Sequence, residues 1–110
     1  MKQYIPPKPV VKPVVSRGGQ AHGKYLGTFE ATAYNLTKNR TTSGDKTRIG
    51  IVSVDPTIIP LGTKLYVEGY GPALASDTGE LIQGRMLDVW LPGGKAWDWG
   101  RHKVKVWIIE

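Results

Sequence analysis

The amino-acid sequence predicts a small all-β barrel, and three observations lead to this fold class. Six short runs rich in β-branched and aromatic residues follow one another from about residue 28 onward, separated by Gly, Pro, Asn and Asp. The last run alternates apolar and polar residues over positions 104–107, as a half-buried strand does. A single short segment, Lys95–Trp99, has helical character, and Gly100 follows it in the position of a C-terminal cap. Several short strands separated by turn residues are typical of a closed barrel.

We expect these strands at residues 28–34, 51–54, 63–68, 73–76, 86–91 and 103–109.

The chain divides by composition near residue 22. Residues 1–22 contain four prolines among valines and lysines, and proline fixes φ and lacks an N–H donor, so we expect an extended, disordered linker there. A segment that binds a proline-recognising partner is the alternative interpretation. Residues 23–110 are expected to form one domain. The chain has no cysteine, and prolines follow the first five residues where a signal peptide would have an apolar run.

The positive charge lies mainly outside the predicted domain. Residues 1–22 carry +4 of the net +6, which leaves about +2 for the rest, so the charge does not indicate a nucleic-acid-binding face. Motifs for zinc and for nucleotides are absent from the sequence, and the two histidines, His22 and His102, stand apart. We therefore expect neither a metal nor a cofactor.

Four aspartates occur in surroundings that do not resemble a solvated surface. Asp55 follows an apolar run, Asp77 opens a turn-like tripeptide, Asp88 interrupts a predicted strand, and Asp98 lies between two tryptophans. Asp55 and Asp77 could equally be turn residues, because Asp accepts local backbone hydrogen bonds. Asp88 is harder to explain by structure alone, since β-strands disfavour Asp.

Three of these carboxylates, those of Asp55, Asp77 and Asp88, could act in acid–base catalysis if the strands brought them into one groove. Mutual repulsion and partial desolvation raise the pKa of at least one carboxyl group in such a cluster. A carboxylic acid that stays protonated near neutral pH can donate a proton to the leaving oxygen of a glycosidic bond.

The order of short motifs along the chain resembles the three-aspartate (3D) domain of bacterial cell-wall proteins, which is related to the membrane-bound lytic transglycosylase A family. The matching segments cover about residues 28–110. They are Thr32-Ala33-Tyr34, Thr42-Ser43-Gly44, Val54-Asp55-Pro56, Ile59-Pro60-Leu61-Gly62-Thr63, Tyr66-Val67-Glu68-Gly69-Tyr70-Gly71, Ala75-Ser76-Asp77-Thr78-Gly79, Ile82-Gln83-Gly84, Leu87-Asp88-Val89 and Trp99-Gly100-Arg101.

This resemblance implies a six-stranded double-psi β-barrel with a short helix, behind a disordered Pro-rich tail. It implies a lytic transglycosylase that cleaves the β-1,4 bond between N-acetylmuramic acid and N-acetylglucosamine and forms 1,6-anhydromuramic acid. Asp88 would be the general acid and base, with Asp77 and Asp55 tuning and orienting it. The implied partner is peptidoglycan, outside the cell or in its wall. The implied groove contacts are Thr32, Tyr34, Thr78, Gly79 and Gln83.

Two positions depart from the family pattern, and other functions stay open. Glu80 stands where the family commonly has Gly, and Gln83 where it favours Lys, which would change the charge near the aspartates. A non-catalytic glycan-binding barrel is the main alternative, with Trp90, Trp97 and Trp99 as sugar-stacking candidates, although core packing is the commoner use of Trp. A small dimeric aspartic protease, suggested by Asp77-Thr78-Gly79, fits less well, and a nucleic-acid binder fits least.

Overall fold

The structure is a computed structural model that describes residues 23–36 and 40–109. This part of the chain forms six strands and one five-residue helix, α1 (Lys95–Trp99). The strands are β1 (Lys24–Tyr34), β2 (Ile51–Ser53), β3 (Lys64–Val67), β4 (Gly71–Asp77), β5 (Met86–Trp90) and β6 (His102–Ile108). Each predicted strand has its counterpart, and the helix bounds agree with the prediction. The predicted linker at residues 1–22 lies outside the described residues.

The strands close into a barrel in the order β1-β5-β2-β4-β3-β6, and β6 returns to β1. The β1/β5 and β2/β4 pairs are parallel, whereas the other four pairs are antiparallel. Parallel neighbours require crossover connections, so strands distant in sequence become neighbours in space. The predicted all-β, six-stranded double-psi barrel with a short helix is confirmed.

The barrel interior is filled by small and medium apolar side chains that alternate along the strands with outward-facing residues. In β1, Phe29 and Ala31 face inward, and β5 contributes Leu87 and Val89 in the same way. The remaining buried members of this core cluster are Val52, Val54, Ile59, Leu65, Val67, Tyr70, Ala73, Ala75, Leu91, Val104 and Val106.

A bulge in β4 breaks this alternation near the end of the strand. Val52 pairs with Ala75, but the next residue of β2, Ser53, pairs with Asp77, so that Ser76 is the extra residue. Bulges re-aim the side chains that follow them. As a result Asp77 does not follow Ala75 into the apolar core but lies level with Ser53.

The short helix α1 is attached to the barrel through Trp99. Its indole packs against the core and donates from Nε1 to the carbonyl of Ala31 at 3.3 Å. Gly100 ends the helix with φ of 71°, a conformation that glycine adopts without strain. Among the described residues no helix is long and apolar enough to cross a membrane.

Tyr70 connects three parts of the barrel through one buried hydroxyl. The side chain is fully buried, its Oη accepts from the backbone N–H of Gly50 at 2.6 Å, and it donates to the carbonyl of Trp90 at 2.8 Å. The ring also packs edge-on against Trp99. The hydroxyl therefore forms hydrogen bonds with two backbone groups, one just before β2 and one at the end of β5.

We predict that Tyr70→Phe destabilises the domain by about 1–3 kcal/mol, because it leaves a backbone donor and a backbone acceptor without their partner in the interior. Thermal unfolding followed by circular dichroism measures this loss. Tyr25→Phe, at an exposed tyrosine, is the matched control and should leave the midpoint unchanged. Equal midpoints for Tyr70→Phe and the native protein would contradict the role given to this hydroxyl.

Candidate active site

The candidate site is a row of polar residues that crosses four neighbouring strands. Thr32 of β1 pairs with Asp88 of β5, Asp88 pairs with Ser53 of β2, and Ser53 pairs with Asp77 of β4. Adjacent strands lie about 4.8 Å apart, so the Cα atoms of Asp77 and Asp88 are about 10 Å from each other. Paired residues on adjacent strands share a face of the sheet. The register therefore brings together two carboxylates on one side of the barrel wall.

Asp77 is a buried carboxylate held by several donors. It is 1% exposed. Its Oδ1 accepts from the backbone N–H of Thr42 at 3.1 Å, from the Thr42 hydroxyl at 3.1 Å and from the Thr78 backbone N–H at 3.0 Å. Its Oδ2 accepts from the hydroxyl of Tyr34 at 3.3 Å. An ionised carboxylate can only accept hydrogen bonds, and all of these partners are donors. They therefore stabilise the negative charge of Asp77.

The donors from Thr42 belong to a loop that is anchored on the β4 bulge. The Ser76 hydroxyl donates to Asp45 Oδ2 at 2.6 Å and shares a 2.5 Å hydrogen bond with the Thr41 hydroxyl. The Ser43 backbone N–H donates to the Ser76 carbonyl at 2.9 Å. Three contacts to one bulged residue thus fix the loop that presents Thr42 to Asp77.

Sequence reasoning missed Thr42, Asp45 and Ser76 as parts of this site. Thr42 and Ser76 lie in segments that carry the family resemblance, but nothing in their local pattern indicates a contact with an aspartate. Thr42 is 35 residues from Asp77 along the chain, and Asp45 is 31 residues from Ser76. The one signal in the sequence was that Thr42 and Ser76 belong to motifs of the family resemblance, and only the folded chain shows what these residues contact.

Asp88 differs from Asp77 in its surroundings. It is half-buried on β5, between the inward-facing Leu87 and Val89. Its Oδ1 accepts a hydrogen bond of 2.9 Å from the Thr32 hydroxyl, which also lies 3.3 Å from the carbonyl oxygen of Leu87. Asp88 therefore combines a fixed orientation with access from outside the barrel.

Tyr34 lies close to both aspartates. Burial raises the pKa of its phenol to about 12, and the negative charges of Asp77 and Asp88 act in the same direction, against a hydrogen bond from Ser53. The phenol consequently stays protonated near neutral pH and can donate to Asp77. The influence of both carboxylates on one hydroxyl is a second indication, besides the strand register, that they share a site.

Asp55 lies in the segment after β2 and makes structural contacts. Its Oδ1 accepts from the backbone N–H of Thr57 at 2.9 Å and from the Thr57 hydroxyl at 2.7 Å, while its Oδ2 accepts from the Gly84 backbone N–H at 2.7 Å. The Gly84 and Thr57 hydrogen bonds hold the pKa of Asp55 below its ordinary value. Asp55 therefore holds the connection between β4 and β5 in place through its hydrogen bond with Gly84. Because its pKa is lowered, this carboxyl group is a poor proton donor.

The predicted groove contacts divide into two groups. Thr32, Tyr34 and Thr78 touch the aspartates or their donors, and the Thr78 hydroxyl lies 2.9 Å from that of Thr42. Gly79 and Gln83 lie in the connection that Asp55 pins. The Gly79 carbonyl accepts from the Ile82 N–H, and the Gln83 amide donates to the carbonyl of Glu80 at 2.9 Å.

The tryptophans have different environments. Trp99 packs on the core, and Trp90 is half-buried and donates from Nε1 to the carbonyl of Leu36 at 2.9 Å. Trp97 is 83% exposed, so the core interpretation does not hold for it. Asp98, the fourth aspartate singled out from the sequence, is exposed on the helix surface. Within residues 23–36 and 40–109 no group of His, Cys, Asp and Glu could hold a metal ion.

Two curated proteins of Bacillus subtilis (strain 168) are similar to this chain. YabE, named for cell wall shaping, is 38% identical over 108 residues, which cover 90% of this chain and 26% of YabE. The cell wall-binding protein YocH is 42% identical over 81 residues, which cover 73% of this chain and 26% of YocH. The chain thus spans about a quarter of the length of these relatives.

Solved structures of MltA from Escherichia coli have a similar fold. One superposes with a TM-score of 0.57 at 24% identity, over 64% of this chain and 27% of MltA. A variant of this lytic transglycosylase in an apo form gives 0.58 at 22% identity, over 70% of this chain and 29% of its own. At these identities the similarity shows a shared fold and nothing more.

The family model of the 3D domain matches residues 50–110, more than half of the sequence, and the chain belongs to the 3D domain family.

Proposed function

We propose that this chain is a peptidoglycan lytic transglycosylase domain that cleaves the β-1,4 bond between N-acetylmuramic acid and N-acetylglucosamine. Membership of the 3D domain family and the fold shared with MltA support this reaction class. The names of YabE and YocH, which refer to shaping and binding of the cell wall, support peptidoglycan as the partner and the wall or the extracellular space as the location.

One observation carries the proposal: the three aspartates differ in access and in hydrogen bonding. Asp77 is buried among donors, and the pKa of Asp55 is held below its ordinary value by Gly84 and Thr57. Asp88 faces outward two strands from Asp77 and is oriented by Thr32. A proton carrier must reach its substrate and must sometimes be protonated, so Asp88 is the carboxyl group of the three that suits this role.

A single carboxyl group suffices for the proposed reaction. Protonated Asp88 gives its proton to the glycosidic oxygen as the bond from that oxygen to C1 of the muramoyl residue breaks. The O6 hydroxyl of the same residue then forms a bond to C1 and returns its proton to the Asp88 carboxylate. The products are a free 4-hydroxyl group and a 1,6-anhydromuramoyl end, and no water is consumed. Because the nucleophile belongs to the substrate, the carboxylate spacing of ordinary glycosidases does not apply.

Asp77 has an electrostatic role in this scheme. As a charged neighbour about two strand spacings from Asp88, it stabilises the positive charge that develops on the sugar ring as the bond breaks. The donors from Thr42, Thr78 and Tyr34 keep its carboxylate in one orientation.

A non-catalytic glycan-binding domain is the second candidate. The exposed indole of Trp97 favours it, as does the similarity to a protein named for cell wall binding. The two candidates differ in their products, since a binding domain sediments with cell walls and releases nothing from them.

We predict that Asp88→Asn lowers the release of anhydromuropeptides from purified peptidoglycan by about 100-fold or more, because general acid and base catalysis typically contributes 10²–10⁴-fold. Mass spectrometry of the soluble products measures this loss. Asp98→Asn removes an exposed helix carboxylate and should act like the native chain.

Products with reducing ends would instead indicate a hydrolase. Undiminished anhydromuropeptide release by Asp88→Asn would contradict the assignment of Asp88.

We predict that Tyr34→Phe lowers cleavage about 3- to 10-fold, because Asp77 loses one donor of a charged hydrogen bond. The shape of the pH–rate profile near neutrality should not change, since a phenol with a pKa of about 12 does not titrate there. Initial rates across pH test both statements, with Tyr25→Phe on the far part of β1 as the control. A displaced profile in Tyr34→Phe would mean that this hydroxyl takes part in proton transfer.

We predict that Asp55→Asn affects stability in a pH-dependent way and lowers cleavage less than Asp88→Asn does. The folded-state pKa of Asp55 is depressed, so its contribution to stability is present at neutral pH and is lost as pH falls through that pKa. Thermal midpoints of the variant and native chain should therefore differ at about pH 7 and converge as the pH falls through the depressed pKa of Asp55. A constant difference at all pH values would refute the ionic contribution of Asp55.

A further inference from the structure

A small cavity lies beside Tyr34, outside the row of polar residues that contains Asp88 and Asp77. Ala33, Tyr34 and Asn35 at the end of β1 line one side, and Ala96 and Trp97 of α1 line the other, around about 180 Å³. The Tyr34 ring separates this cavity from the carboxylate of Asp77, to which its hydroxyl donates. The cavity and the candidate site therefore share the side chain of Tyr34.

Trp97 is the unusual member of this lining. Its side chain is 83% exposed, although Trp99, two positions further along the same helix, packs on the core. Residues two apart on a helix do not share a face, so anchoring Trp99 turns Trp97 outward. In the described part of the chain the indole Nε1–H of Trp97 has no hydrogen-bond acceptor.

The helix that carries this indole is held in place by contacts on both sides of Trp97. The carboxamide of Asn35 donates to the carbonyl of Gly93 at 3.0 Å, which joins the end of β1 to the segment before α1. Trp99 fixes the other end of the helix on Ala31 of β1. An aromatic ring exposed on a helix that is fastened at both ends offers a binding surface at low entropic cost.

We propose that Trp97, with Asn35 and Tyr34, forms a sugar subsite that stacks one N-acetylated hexose of the glycan strand next to the residue cleaved at Asp88. The face of an indole carries partial negative charge and attracts the C–H groups on the apolar face of a pyranose ring. The amide of Asn35 and the indole N–H supply polar groups at the edge of that ring, where hydroxyl and acetamido groups lie. This inference rests on the proposed function in taking wall glycan as the ligand.

The test is a titration of the full chain with the tetramer of N-acetylglucosamine, followed by the NMR signals of the tryptophan indole N–H groups. The Trp97 signal should shift more than those of Trp90, Trp99 and Trp107. Trp97→Ala should raise the Kd for the tetramer about 3- to 10-fold, and Trp97→Phe should restore part of the affinity. Tyr25→Ala, at an exposed aromatic elsewhere on β1, is the matched control and should bind as the native chain does.

The outcomes separate this inference from the proposed reaction. A shifted Trp97 signal with weaker binding by Trp97→Ala supports the subsite, whether or not anhydromuropeptides are released. Tetramer binding that leaves Trp97 unchanged overturns the subsite but not the reaction. If the tetramer does not bind at all, the subsite is also overturned, and the peptidoglycan cleavage assay then decides on the reaction independently.

Discussion

The bulge at Ser76 is the constraint on which the candidate site depends. It moves Asp77 out of the alternation that would send it into the apolar core and brings it level with Ser53 of β2, which on its other side pairs with Asp88 of β5. The same bulged residue anchors the loop that carries Thr42. Without the bulge, the carboxylate would have to be buried among aliphatic side chains, at a cost of several kcal/mol. This one extra residue therefore sets the position of Asp77 and holds the loop from which Thr42 donates to it.

Much of the fold could be predicted from the sequence because the signals for strands are local. Alternation and β-branched composition located all six strands, and Gly100 marked the end of the helix. The boundaries that differ depend on pairing over long distances. The first strand begins at Lys24 instead of residue 28, because its early residues pair with the end of β6, from Lys24 opposite Ile108 onward. No local pattern contains that register.

The strand register brings two of the three predicted aspartates, Asp77 and Asp88, into one row, whereas Thr42 was not among the predicted contacts. An Asp in the middle of a strand is locally anomalous, so Asp88 stood out from the sequence. The role of Thr42 and the orientation of Trp97 were not visible, because a loop contact across 35 residues and the outward face of a five-residue helix are both set by tertiary packing. Asp55, which the sequence also offered as a turn residue, makes turn and loop contacts through both carboxylate oxygens.

The central claim is that the carboxyl group of Asp88 transfers the proton while the nucleophile comes from the sugar and not from water. Digestion of peptidoglycan in water enriched in ¹⁸O tests this claim directly, with mass spectrometry of the new glycan ends. The account predicts muropeptides with anhydro ends that contain no ¹⁸O from the solvent. New reducing ends that carry ¹⁸O would contradict it, because they would show that water attacks the bond.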